Sequence, residues 1–476
     1  MLFNSYEFIF LFLPLLLVTV YAVRRYSPVF AQIVMIAASL YFYSLLDVSH
    51  LWVLLFSAGV NYLIGSALTS RIQKELPSRG WLILGVVFNL SLLGGYKYIG
   101  FAAHIAGIPF PAVAAPLGIS FFTFHQLAYL IDIYRRRIVP TGVREYALYV
   151  TFFPHLIAGP IMRYGQFAPQ LSLSGHPIAY GSGIFFFSVG LFKKSVLADT
   201  FAPIADRVFS TVSLSHGIEW LEAWKGALAY AWQIYFDFSG YADMAIGLGL
   251  LLGIALPVNF NSPYKSVSIA DFWRRWHITL SQFLRDYVYI PLGGSRHGKI
   301  RLVIALMVTM TLAGLWHGAS WTFVLWGALH GALLSAVHGW RVGPGRVIVL
   351  PRAVSIAATF GTVTLLWVLF RAEHWNDALN FYRSMFTWTP VTHWPATFAE
   401  WISNPLWSEW VWIAAGGIIV FTLKSSSAYA GYDHDTPIVQ RLEVTRWHAL
   451  AAGILLWISF KAMVGEPSRS FVYFVF

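Results

Sequence analysis

Leu302-Val-Ile-Ala-Leu-Met-Val-Thr-Met-Thr-Leu-Ala-Gly-Leu-Trp-His-Gly318 is an apolar run that follows Arg301 and closes on an imidazole and a glycine. At about 1.5 Å per helical residue, His317 lies roughly 24 Å from Arg301, within the thickness of a bilayer. The run therefore reads as a membrane-crossing helix with an ionisable ring deep inside it. Such rings are costly in lipid and mark functional positions by default. Ala313, Gly314, Gly318 and Ala319 surround the ring with little bulk, so that backbone or substrate can approach closely. Two occupations follow: a hydrogen bond between packed helices, or a water-filled passage that reactants reach from both sides.

The rest of the chain is built in the same style. Hydrophobic residues make up 58% of the 476 positions and charged residues 11%, a composition that excludes a soluble globular domain. Most apolar runs are roughly 16–22 residues long and several contain Gly or Pro, which predicts an all-α polytopic integral membrane protein rather than a barrel of alternating strands. Cysteine is absent. Its absence removes disulfides, thiolate metal sites and a cysteine-bound acyl intermediate. The net charge of +11 reads as cytoplasmic loops obeying the positive-inside rule, since no basic block is long enough for nucleic acid.

Phe8 to Val23 has Glu7 before it and Arg24-Arg25 after it, the reverse of a cleavable signal peptide, so this first span is expected to stay. Val29 to Leu46, Leu51 to Leu68, Trp81 to Tyr96 and Ala114 to Tyr134 follow, the last after a break at Pro109 and Pro111. Arg71, Lys74, Arg79 and Arg135-Arg136-Arg137 mark the cytoplasmic ends. Tyr146 to Met162 is interrupted by Pro154, Gly159 and Pro160 and has Arg144 and Arg163 at its ends, the pattern of a re-entrant segment. Tyr180 to Leu197 and Ala223 to Ile254 are further crossings, the second carrying Gln233, Asp237 and Asp243. Leu302 to Gly318, Trp321 to Val337, Ala353 to Leu369, Trp410 to Leu423 and Trp447 to Met463 bring the expected count to about twelve. The linker Thr389 to Ser408 is expected on the outer face and Ser425 to Arg446 in the cytoplasm.

Ser268-Ile-Ala-Asp-Phe-Trp-Arg-Arg-Trp-His277 predicts a helix that runs to about Tyr289, capped by Ser268 with Asp271 and stopped by Pro291-Leu-Gly-Gly294. On a continuous helix Asp271, Arg274, Arg275, Gln282, Arg285 and Asp286 share one arc of roughly 120°. Facing lipid at mid-membrane, each charge would cost about 2.5–3.5 kcal/mol, so this helix belongs at the interface or along a wet cavity. One role for its arginines is to meet lipid phosphates. The other is a basic cytoplasmic mouth of Arg274, Arg275, Arg285, Arg296, Lys299 and Arg301 that admits a polyphosphate-bearing donor such as a coenzyme A thioester.

A deep His317, a second imidazole at His277 beside that mouth, and no cysteine point to acyl transfer with an imidazole taking the proton of a hydroxyl. A zinc site is not expected: His317 and His330 on one straight helix would stand roughly 220° apart, and no HExxH pattern is present. The G-x-S-x-G elbow of serine hydrolases is also missing, and haem ligation has no supporting motif.

Several motifs in one order carry a resemblance. They are Pro116-Leu-Gly-Ile-Ser-Phe-Phe-Thr-Phe124, Phe152-Phe-Pro-His-Leu-Ile-Ala-Gly-Pro160, Phe236-Asp-Phe-Ser-Gly-Tyr-Ala-Asp-Met-Ala245 and Asn259-Phe-Asn-Ser-Pro263. Asp271-Phe-Trp-Arg-Arg-Trp-His277, Tyr289-Ile-Pro-Leu-Gly-Gly294 and Gly314-Leu-Trp-His-Gly318 complete the set. With them the chain resembles the membrane-bound O-acyltransferases, in the bacterial branch that O-acetylates alginate, cellulose and peptidoglycan. At Phe153-Pro154-His155 it departs from that branch, which more often has glutamine at the third position.

The resemblance implies one membrane-bound O-acyltransferase domain over 1–476, with peripheral helices at 1–110, a catalytic core at 111–340 and C-terminal helices at 341–476, arranged around a central funnel. It maps the family's catalytic histidine to His317, as general base or transient acyl carrier, and its second functional histidine to His277, as orienter or proton partner; the expected substrate contacts beside them are Trp273, Arg274, Arg275, Asn261 and Trp316. It further implies an acetyl-CoA or other acyl thioester donor, no bound cofactor or metal, and an extracytoplasmic polysaccharide or peptidoglycan acceptor. A periplasmic O-acetyltransferase partner and a place in the bacterial inner membrane go with it. The aromatic end Phe471 to Phe476 reads as an interfacial anchor or a docking strand for that partner. A solute or lipid transporter is the competing class, because broken helices and buried Asp237 and Asp243 also fit it.

Overall fold

The computed structural model describes residues 1–111, 113–171, 179–215, 217–342, 350–390, 397, 400, 403–431, 445–464 and 469–472. Regular structure among them is entirely helical. In chain order the main helices are Leu13–Arg24 (α1), Pro28–Asp47 (α2), Leu51–Gln73 (α3), Arg79–Leu93 (α4), Ile119–Tyr134 (α5), Val143–Thr151 (α6), Tyr164–Leu171 (α7), Tyr180–Phe192 (α8) and Asp199–Ser215 (α9). Trp220–Leu251 (α10), Ile269–Trp273 (α11), Ile278–Leu284 (α12), Lys299–His317 (α13), Trp321–Val342 (α14), Arg352–Arg371 (α15), Trp375–Phe386 (α16), Pro405–Thr422 (α17) and Arg446–Met463 (α18) follow.

Five helical stretches are long and apolar enough to cross a bilayer: Pro28–Gln73, Arg79–Ile105, Lys299–His317, Trp321–Trp340 and Arg352–Arg371. Phe8–Arg24 and Trp407–Thr422 are shorter apolar helices. The expected spans recur as helices at nearly their predicted bounds, but fewer than twelve meet that standard. Helix α10 is longer than any single helix among the five and carries Glu222, Lys225, Asp237 and Asp243.

The predicted continuous helix over Ser268 to Tyr289 is broken. Helix α11 ends at Trp273, α12 begins at Ile278, and Arg285–Tyr289 is a π-helical turn. The single arc of charges drawn on one straight helix therefore does not exist. The cap is as expected at one end: the Ser268 hydroxyl accepts from the Asp271 N–H at 3.2 Å, while the Asp271 carboxylate accepts from the Val267 N–H at 3.2 Å.

The chain forms two compact units. The first comprises Met1–Val189, Tyr241–Val258 and Ala430–Ile454. Its helices are joined by polar side chains that hydrogen-bond in an apolar surrounding, the substitute for a hydrophobic force inside lipid. Ser57 donates to Gln126 Oε1 at 2.7 Å, Asn61 donates to the same oxygen at 2.8 Å, and Asn89 donates to Asn61 at 2.6 Å. The Pro116–Phe124 and Phe152–Pro160 motifs meet here: Gly118, at φ 74°, leaves no room for a Cβ beside the Leu156 carbonyl. Tyr146 to Met162 is interrupted as read from the sequence, helical to Thr151, non-helical at Phe152 (φ −55°, ψ 104°) and helical again over Phe153–Leu156. His155 is buried, and its Nε2 lies 2.8 Å from the Tyr149 carbonyl, so an N–H donates there as a glutamine amide would.

The second unit comprises Gly190–Gly240, Asn259–Tyr429 and Leu455–Phe476. Its core is aromatic: Trp276, Trp326, Trp367 and Tyr264 are fully buried, and the Trp367 indole donates to the Tyr264 hydroxyl at 3.0 Å. Helices α13 and α14 form a hairpin in which backbone meets backbone. A methyl group at Gly314 would strike the Phe323 carbonyl, and one at Gly327 the Met310 carbonyl. Helix α16, not anticipated from the sequence, is amphipathic: Phe381 stacks on Phe209 at 4.4 Å and the Asp377 carboxylate accepts from the His374 N–H.

Gly327→Ala should lower stability by about 1–3 kcal/mol, because carbonyl and helix backbone cannot yield as a side chain would. Gly339→Ala, on the same helix with open space around it, should be neutral or slightly stabilising. Thermal unfolding of the two purified variants in one detergent checks the pair.

Candidate active site

His317 is the last residue of α13, and extended backbone at Gly318 starts the turn into α14. Its ring is 3% exposed and touches three aromatic rings: Trp316 at 4.9 Å, Trp326 at 5.3 Å and, from α15, Phe370 at 5.0 Å between centroids. An aromatic cage of this kind fixes an imidazole by edge-to-face contacts. Trp316 also lies 5.9 Å from His277, so one indole touches both histidines.

His277 stands in the break between α11 and α12, at φ 43° and ψ 55°. A non-glycine residue in the left-handed region is held there by its surroundings. Here the holder is Asn259, whose Oδ1 lies 3.2 Å from the Thr279 N–H, 2.9 Å from the Thr279 hydroxyl and 3.1 Å from His277 Nδ1. A backbone N–H can only donate, so the Asn259 atom facing it is the oxygen, and Nδ1 of His277 must carry a proton. In the neutral ring Nε2 is then the basic nitrogen, and it is buried without a protein hydrogen-bond partner. The Asn259 backbone completes the arrangement by accepting from the Ile278 N–H at 3.0 Å.

His330, considered from the sequence only as a zinc ligand, is part of the same cluster. Its Nδ1 accepts from the Trp273 indole N–H at 3.2 Å, which places the ring proton on a buried Nε2. The Trp326 ring touches it at 4.6 Å and touches His317 at 5.3 Å. Because His317 and His330 lie on the two arms of a hairpin, the straight-helix spacing did not describe them. Among the described residues no group of three or more His, Asp or Glu side chains could hold a metal ion.

Arg274 and Arg275 emerge from the same break. Arg275 Nε bonds Asp271 at 3.1 Å and its Nη1 reaches the Asn261 carbonyl at 3.4 Å; Arg274 is more exposed, 3.6 Å from Asp271. Asn261 also accepts from Ser425 through Oδ1. Nearby Lys265 has its ammonium pKa lowered by partial burial and by the charges of Arg275 and Arg352. The basic surface thus includes Lys265 and Arg352, while Arg285 is occupied by Asp286 at 2.7 Å. Trp273 is buried against His330 and Trp326, inside this surface rather than on it.

Beside the turn that follows the C-terminal end of α13 lies a cavity of about 680 Å³, lined in part by Ser320, Thr322, Phe323, Phe370 and Arg371. His317 does not line it. Phe370 does, so one aromatic ring separates the imidazole from the cavity, and the expected open passage at His317 is closed by that ring. The polar wall is ion-paired: Lys194, carried inward on a π-helical turn, lies 2.9 Å from both Asp199 and Asp237, and Asp206 binds Arg371 at 3.0 Å and Arg469 at 3.1 Å. Asp237 also accepts from the Val472 N–H at 2.7 Å. Phe471 is buried against Phe238 at 5.5 Å, and Phe238 packs edge-on against His277 at 4.7 Å. This end of the chain is therefore an inward-packed segment at Phe471, not an exposed anchor; residues 473–476 lie outside the described residues.

Among the described residues, a buried histidine cluster with a basic surface and an ion-paired cavity nearby, on a helical scaffold rich in apolar spans, is an arrangement suited to acid–base chemistry in a membrane protein. The model of the membrane-bound O-acyltransferase family matches residues 35–343, and the chain belongs to that family. It is 39% identical over 425 residues to a peptidoglycan O-acetyltransferase of Helicobacter pylori, covering 81% of this chain and 80% of that protein. To a probable alginate O-acetylase of Azotobacter vinelandii it is 40% identical, over 82% of this chain and 79% of the relative. A teichoic acid D-alanyltransferase of Streptococcus thermophilus is 28% identical over 53% of this chain and 68% of its own length. The chain is a membrane O-acyltransferase, and the transporter class is set aside.

Asn259 offers a test of the His277 arrangement. Asn259→Ala leaves the Thr279 N–H and the His277 Nδ1–H without their acceptor and should cost about 1–3 kcal/mol. Asn259→Asp keeps the accepting oxygen and adds negative charge, which favours the imidazolium and raises the histidine pKa. Turnover should then survive with its acidic limb moved to higher pH, because the basic Nε2 is reached later in the titration. A pH–rate profile of thioester consumption reads the shift.

Proposed function

We propose that this enzyme moves an acetyl group from a cytoplasmic thioester, acetyl-CoA or a related donor, to a hydroxyl supplied from outside the membrane, for O-acetylation of a polysaccharide or peptidoglycan. The supporting observation is the position of the His317 ring: at the turn of the hairpin, joined through Trp316 to His277 and touching the Phe370 ring that lines the ion-paired cavity.

In this reading His317 accepts the proton of the attacking hydroxyl. The hydroxyl oxygen bonds the acyl carbon, the carbon–sulfur bond breaks, and the thiolate leaves with the proton that the imidazole had taken. His277 acts as its proton partner through the unprotonated Nε2. Arg274 and Arg275 hold the donor's phosphates, with Asn261 fixing Arg275 from below; Trp273 and Trp316 shape the apolar path. Phe370 turns aside to admit the acceptor. We place the protein in the bacterial inner membrane with about twelve crossings, where a periplasmic O-acetyltransferase partner carries the acetyl group to the final glycan.

His317→Ala should reduce labelled acetyl transfer in membranes by about 10²–10⁴-fold with the protein still folded. Normal turnover by that variant removes the role. Trapping acetyl-histidine at position 317 by rapid quench and mass spectrometry would replace the general-base step with a covalent carrier. Arg274→Ala with Arg275→Ala should raise the donor's apparent binding constant more than it lowers thermal stability; an unchanged constant counts against the basic mouth.

A further inference from the structure

His330 is the third imidazole of the cluster, and the proton transfers proposed above do not use it. On α14 a spacing of four residues puts Trp326 and His330 on one face, a turn apart. Gly327 and Gly331, spaced likewise, form the neighbouring face that lies against the α13 backbone at Met310 and Met307. The glycines set how closely the arms approach, and the two rings are what that approach carries into the core.

Both rings have fixed neighbours. Trp326 is fully buried and touches His317 at 5.3 Å and His330 at 4.6 Å. His330 is fully buried too, with Trp273 at 5.2 Å and the Phe272 ring nearly parallel to it at 6.4 Å. One of these contacts is polar: the Trp273 indole N–H donates to His330 Nδ1 at 3.2 Å. Trp273 is the last residue of α11 and directly precedes the break that ends at His277. A line of contacts therefore runs from the break through Trp273, His330 and Trp326 to His317.

The residue type follows from this line. Among aromatic side chains imidazole alone offers an acceptor nitrogen in its ring, so it can pack edge-on against Trp326 and still satisfy a buried indole. A phenyl ring would fill the space and leave the Trp273 N–H without its acceptor. The arginines of the basic surface do not depend on this bond, because Asp271 and the Asn261 carbonyl hold them.

We propose that His330 is a positioning residue of acyl transfer: by accepting the Trp273 N–H and backing Trp326 it sets the separation of His277 and His317. The proposal rests on the reading of those two histidines as proton partners. Its effect falls on turnover and leaves donor binding alone.

The test compares His330→Asn with His330→Phe in the full chain, reading labelled acetyl transfer from acetyl-CoA in membranes and thermal unfolding of each purified variant. In Asn the side-chain oxygen takes the place of Nδ1 and the ring is lost; in Phe the ring stays and the acceptor is lost. His330→Phe should lower kcat at least about tenfold with the donor KM within about twofold of wild type, and His330→Asn should retain more kcat than His330→Phe. A residue that only fills space gives the opposite order, since Phe preserves the volume better. Trp273→Phe decides the matter where the Asn variant does not fold. It should match His330→Phe in kcat, and the double variant should be no slower than the slower single, because both changes remove one bond. Unchanged kcat in His330→Phe, Phe outperforming Asn, additive losses in the pair, or a loss expressed in donor KM would each overturn the assignment. His317→Ala is assayed beside them. Normal turnover there removes the proton-acceptor role of His317, whereas loss there with the reverse order of the His330 variants removes only the role of His330.

Discussion

The contact on which the second unit depends is the one between the two arms of the α13–α14 hairpin. Within a bilayer the lipid tails are as apolar as leucine, so helices gain little by hiding apolar surface from one another, and close backbone approach becomes the main source of adhesion. Gly314 and Gly327 allow it by lying against a carbonyl of the opposite arm, and Gly318 does the same for the Phe323 ring. That approach brings Trp326 between His317 and His330 and lets α15 add Phe370 to the cage. With larger residues at these glycines the arms would stand apart and the imidazoles would lose their aromatic walls.

A second constraint concerns protons. Histidine in a dry interior has two tautomers of similar energy, and an enzyme that relies on one nitrogen must choose. Asn259 and Trp273 choose by opposite means. The amide oxygen, already facing a backbone N–H, forces a proton onto Nδ1 of His277, whereas the indole N–H, which can only donate, forces it off Nδ1 of His330. The two rings are thus presented with complementary outer nitrogens, a base at His277 and a donor at His330.

Much of the fold was legible in the sequence because hydropathy and charge act over whole helices. The spans from Phe8 to Met463 recur as helices at nearly their predicted bounds, and His317 falls at the end of the apolar helix that was read from Leu302 onward. Features set by single long-range contacts were not legible. The break at Arg274 to His277 depends on Asn259, eighteen residues earlier, and no local signal in a well-patterned helix announces it. His330 was judged on the geometry of one straight helix, yet the turn at Gly318 to Ser320 places it on the facing arm. Helix α16 is short and amphipathic, so a search for apolar runs passes over it. The basic mouth was read from charge alone; the structure gives Arg285 to Asp286 and adds Lys265 and Arg352, a reassignment that needs side-chain partners to see.

The two polar surroundings of the histidine cluster are built on different principles, and the difference bears on direction. On the Arg274 side the cations outnumber their partners: Asp271 serves both Arg274 and Arg275, and Lys265 sits among further positive charge. Such a surface attracts an anion and releases it as salt or product competes. On the cavity side Lys194, Arg371 and Arg469 are each matched by carboxylates and Glu373 also lines the wall, so among the described residues four carboxylates face three cations and the surface carries no excess of positive charge. A neutral, hydroxyl-bearing acceptor needs hydrogen-bonding groups and no net charge, and would be poorly served by the first surface. On the function proposed above, this charge asymmetry would draw an anionic donor to the Arg274 side rather than to the cavity, while the Phe370 ring stands between His317 and the cavity.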